Sequence, residues 1–68
     1  MEFIINLLGM AVILWDKGTF LATKVDGRRI SLYAYNGKYY IVGYTKKNLL
    51  EKIGLVDKNT AKQMFKHF

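Results

Sequence analysis

From Arg28 to Tyr44 the chain reads RRISLYAYNGKYYIVGY, a stretch that holds all five tyrosines of the protein beside Arg28, Arg29 and Lys38. Rings and cations this close together suit one chemistry well. Flat aromatic side chains stack on unpaired bases while Lys and Arg neutralise phosphates. The same rings could instead stabilise a sheet through cross-strand pairs, or pack against another protein surface. The choice depends on whether the rings share a face, and so on the elements that carry them.

Groups for other chemistries are scarce. His67 is the only histidine and stands next to last, where a helix frays. Ser31 is the only serine, with no histidine near it in sequence to activate it. Asp16 and Asp26 fit turns, Asp57 a helix cap, Glu51 a helix face, and Glu2 the terminus. There is no cysteine, hence no disulfide or thiolate metal ligand, and no phosphate-cradling glycine motif, zinc spacing or calcium loop. The expectation is a binding module with no catalytic residues, no metal, no cofactor and no small-molecule substrate.

Turn residues divide the chain. Asn36-Gly37 between two alternating runs is a hairpin signal, because a type I′ turn needs positive φ at both central positions. Asp26-Gly27 repeats it, and Asp16-Lys17-Gly18 fits a longer hairpin loop. Three turns predict strands at 10–15, 19–25, 28–35 and 38–44 in an antiparallel meander. Thr45 is placed to cap a helix over 46–53 that Gly54 ends, and Asp57 to cap a second over 58–68. In that second helix Ala61, Met64, Phe65 and Phe68 recur at buried-stripe spacing. Residues 3–8 fit a strand or one helical turn, and Ile4 and Ile5 favour the strand. The predicted fold is α+β: one domain over 1–68, a four-stranded antiparallel β-meander followed by two short C-terminal helices packed on its aliphatic face.

In this register Tyr35 faces Lys38, Tyr33 faces Tyr40, Ser31 faces Val42 and Arg29 faces Tyr44, all on one side of the sheet. A two-residue turn at Asp26-Gly27 would add Lys24, Ala22 and Phe20 to that side. Ile30, Leu32, Ala34, Tyr39, Ile41 and Gly43 take the other. The candidate nucleic-acid surface is therefore Lys24, Arg29, Tyr33, Tyr35, Lys38, Tyr40 and Tyr44, with Lys46 and Lys47 extending its basic rim. Phe20, Ala22 and Val42 make its middle apolar enough to be covered by the N-terminal segment, a helix or a second subunit.

Charge points the same way. Eleven Lys and Arg against five Asp and Glu give a net charge of +6 in 68 residues, which favours nucleic acid or an acidic protein surface as partner. A protein partner or self-association as a homodimer is equally supported. Lys58, Lys62 and Lys66 mark a solvated helix face. The apolar run from Phe3 to Trp15 is shorter than the ~20 residues of a spanning helix and lacks a basic leader, so it is expected to be core in a cytoplasmic protein with no membrane partner.

Overall fold

The computed structural model describes residues 2–68, with side chains from Leu7 onward. The elements are α1 (Glu2–Lys17), β1 (Thr19–Asp26), β2 (Arg28–Tyr35), β3 (Lys38–Tyr44), β4 (Leu50–Val56) and α2 (Lys58–His67). The strands pair antiparallel in the order β1-β2-β3-β4. The class is α+β with a four-stranded antiparallel meander, as the sequence predicts. The helices, however, bracket the sheet, one N-terminal and one C-terminal.

The two corrections are linked. Residues 10–15, expected as the first strand, belong to α1. A run that is apolar on every side does not distinguish a buried strand from a buried helix by periodicity. Here the helix buries Ala11 and Leu14 and half-buries Leu7 and Met10, the three- and four-residue spacing of one helical face. It ends at Gly18, whose N–H donates to the carbonyls of Leu14 at 3.0 Å and Ile13 at 3.2 Å. A Cβ at Gly18 would lie 2.6 Å from the Leu14 carbonyl oxygen, so no other residue fits without movement.

Residues 46–53, expected as a helix, form a loop and most of β4. Thr45 does act as a local cap, but of a turn: its Oγ1 accepts from the Leu49 N–H at 3.2 Å, and its carbonyl accepts from the Asn48 N–H at 2.8 Å. Asn48 takes the left-handed conformation at φ 65°. The chain then pairs with β3 from Tyr39↔Val56 to Val42↔Ile53, satisfying backbone groups that would otherwise leave β3 as an edge.

The signals at Asn36-Gly37 and Asp57 behave as read. Asn36 and Gly37 have φ of 53° and 75°, as a type I′ turn requires. Gly37→Val is expected to cost about 2 kcal/mol, since a β-branched residue resists positive φ. An unchanged melting temperature would contradict the turn. Asp57 caps α2, its Oδ1 accepting from the Thr60 N–H at 2.7 Å. That bond holds its carboxyl below the ordinary carboxylate range. The cap's contribution is therefore present above that range and lost as pH falls through the lowered value. The melting temperature should fall more steeply with acidification in the native chain than in Asp57→Ala, and equal slopes would contradict the cap.

Each face of the sheet carries one helix. On one, Leu14 packs with Val42 and Tyr44, and Met10, Tyr33, Tyr35, Tyr40, Leu50 and Ile53 surround them. On the other, α2 lies against β2 and β3, burying Ala61 beside Leu21 and Tyr39. It occupies the end of that face nearer the Asn36-Gly37 turn.

Candidate nucleic-acid interface

The β2–β3 register places the tyrosines as expected, with Tyr35↔Lys38, Tyr33↔Tyr40 and Ser31↔Val42 as partners. What lies over them is α1. Leu14 and Val42 are fully buried and Tyr44 is 5% exposed. The Trp15 indole Nε1–H donates to the Tyr44 hydroxyl at 2.9 Å. The Arg29 guanidinium sits 4.3 Å from the centre of the Tyr44 ring, a cation–π contact within the protein rather than with a ligand. Its Nε is buried and has no hydrogen-bond partner among the described residues. Phe20 meets Tyr33 edge-on with ring centres 5.6 Å apart. Burial pushes the Tyr33 phenol above its ordinary value; Tyr44 adds to the shift and Arg29 opposes it. These rings form the core beneath α1 and leave no open platform for stacked bases.

Lys24 is not part of that face. Asp26 pairs with Arg28, leaving Gly27 alone at the apex with φ 78°. Thr23 therefore lies opposite Ser31 and Lys24 opposite Ile30, and the Thr23 and Ser31 hydroxyl oxygens are 3.1 Å apart. This one-residue difference from a two-residue turn moves Lys24 and Ala22 to the α2 side. A register shift between Phe20 and Ala22 returns Phe20 to the tyrosine side, opposite Tyr33.

On the α2 side, at the end that α2 leaves uncovered, basic residues converge. Lys24, Asp26, Arg28, Ile30 and Lys46 line a shallow groove of about 390 Å³. Lys46 reaches it from the β3–β4 loop, its Cε 3.8 Å from where a Gly27 Cβ would stand. Arg28 Nη1 lies 3.3 and 3.4 Å from the two carboxylate oxygens of Glu51. The pair is open to solvent, contributes about 0–1 kcal/mol, and can exchange partners. Lys52 lays its stem over Gly43, where a Cβ would come within 3.0 Å of its Cγ. Lys47 is exposed in the same loop as Lys46. Lys38 is exposed at the other end of the sheet, around a hollow shared with Tyr39, Asp57 and Lys58.

The structure thus brings Lys24 and Lys46 together, keeps Lys47 near them, and separates them from Arg29, Lys38 and the tyrosines. Sequence reasoning missed Arg28 and Lys52. Arg28 falls on the aliphatic side of the expected register, and Lys52 falls in the expected helix. With Lys58, Lys62 and Lys66 of α2, seven of the eleven basic residues lie on the α2 side. On the other side, helix α1 itself carries no charge from Leu7 to Trp15, and the cations there include Arg29 beneath it and Lys38 at the hairpin end.

Among the described residues no cluster of His, Asp and Glu could hold a metal ion. No described helix is long and apolar enough to cross a membrane. Fold and surface together define a class, a small α+β domain with one helix on each face of its sheet and most of its cations on one side. Comparison with protein-family models, curated proteins and solved structures gives no match.

Proposed function

We propose that the protein is a non-catalytic nucleic-acid-binding module that holds the phosphate backbone on its α2 side, through Lys24, Arg28 and Lys46, with Lys47 and Lys52 adjoining. The observation that supports this reading is the segregation of charge. A net charge of +6 spread evenly would serve solubility alone, whereas here three cationic side chains line one groove and two more flank it. Asp26 in the groove and Glu51 beside Arg28 reduce the local excess without cancelling it. Phosphate contacts of this kind position a polyanion without reading its bases, so binding is sequence-independent. Base stacking on Tyr33, Tyr35, Tyr40 and Tyr44 is not part of the mechanism, because α1 occupies that side.

Fluorescence anisotropy with a labelled duplex over a range of salt concentrations tests this. Each neutralised phosphate contributes about −0.9 to the slope of log K against log salt, so the three groove cations predict a slope of about −2.7 and all five about −4.5. No binding at about 50 mM salt would overturn the reading.

A further inference from the structure

From Leu7 to Trp15 helix α1 is apolar all round, with Asp16 and Lys17 exposed at its end, and the sheet covers only one side of it. Away from buried Ala11 and Leu14, the side chains of Leu8 (53% exposed), Val12 (51%) and Ile13 (38%) face outward with Asp16 beyond them, and Trp15 (45%) lies at the flank, its indole bonded to Tyr44. A helix without a polar face belongs in an interior. Phe20 and Leu55, exposed on the two edge strands, flank it on the same side of the sheet. We infer that a second copy of this chain covers this surface, α1 against α1 about a twofold axis.

Area and charge both select that occupant. The outer half-cylinder of the helix over residues 7–17 presents about 250 Å². Phe20 and Leu55 widen it to about 500 Å² per partner, the lower end for a specific interface and suited to a dimer that forms with concentration. Two chains of charge +6 repel unless their cations stay apart. Pairing through α1 does this, because the basic grooves then point outward from opposite sides of the dimer. A lipid surface fits less well: an interfacial helix carries Lys and Arg along a polar face, whereas α1 has only Lys17, at its end. Gly9 is exposed on this outer side with nothing within 4 Å of a would-be Cβ, leaving space for a crossing helix. Where the proposed function holds, a dimer with its grooves on opposite sides can bridge two polyanion segments.

Sedimentation equilibrium of the full chain from about 1 μM to about 1 mM tests the pairing without nucleic acid, so it succeeds or fails independently of the nucleic-acid reading. A dimer is expected, with the emission of Trp15, the only tryptophan, shifting to the blue as concentration rises and its ring loses water. Val12→Glu should weaken dimerisation about a hundredfold by setting unpaired carboxylates in the interface. Val12→Ser, which adds no charge, should weaken it about tenfold and serves if the Glu variant fails to fold. A wild-type protein still monomeric at the highest concentration overturns the inference. So does a dimer indifferent to both Val12 variants, or one whose formation leaves Trp15 emission unchanged. A monomer that co-sediments with neutral phosphatidylcholine vesicles would assign the surface to a membrane and also overturn it.

Discussion

Replacing Leu14 with Ala should leave most of the protein unfolded at room temperature. Leu14 is fully buried and joins α1 to Val42 and Tyr44, so its loss removes apolar burial and opens a cavity between helix and sheet. Substitutions of this kind cost about 2–5 kcal/mol. A single core of this size supplies rarely more than about 3–5 kcal/mol in total, and there is no disulfide to supplement it. Val12→Ala, on the outer side of the same helix, should by contrast change the stability of the monomer by no more than about 0.5 kcal/mol. Urea unfolding at low protein concentration measures both. If Leu14→Ala unfolds at the wild-type urea midpoint, α1 does not cover the tyrosine side, and those rings become available to ligands again.

The second large effect is on binding. Lys24→Ala combined with Lys46→Ala removes two of the three cations lining the groove and should reduce the salt slope by about 2. Both side chains are exposed, so the melting temperature should hardly change. Lys38→Ala, at the far end of the sheet, removes one positive charge, as Lys24→Ala alone does, and should alter affinity far less than Lys24→Ala. Tyr40→Phe keeps the partly buried ring and should leave binding as it was. Equal losses from Lys38→Ala and Lys24→Ala would mean that net charge rather than the groove governs binding.

These outcomes differ from what the sequence alone suggests, and the reasons can be traced to particular residues. The Asn36-Gly37 hairpin and its Tyr33↔Tyr40 register were legible because positive φ at two adjacent residues is a local requirement with few solutions. Asp26-Gly27 carries the same signal but closes a tighter loop, and a dipeptide does not count the residues in its turn. That one-residue difference moved Lys24 to the other side of the sheet. The segment after Thr45 was ambiguous in another way. Leu50 and Ile53 recur at helical spacing, Ile53 and Leu55 at strand spacing, and the unpaired edge of β3 decides between them. The clustering of the tyrosines was visible in the chain, but their accessibility was not. It depends on an apolar segment at the other end of the sequence folding as a helix and lying across them.

On the proposed function, a polyanion meets the α2 side of the sheet and not the tyrosine side. Amide chemical-shift mapping of the labelled protein during titration with a short DNA duplex tests it most directly. The expected perturbations run through Lys24 to Arg28, Lys46, Lys47 and Lys52, and leave Tyr33, Tyr40 and Lys38 close to their free positions. Perturbations centred on Tyr33, Tyr40 and Lys38, with Lys24 and Lys46 unmoved, would contradict it.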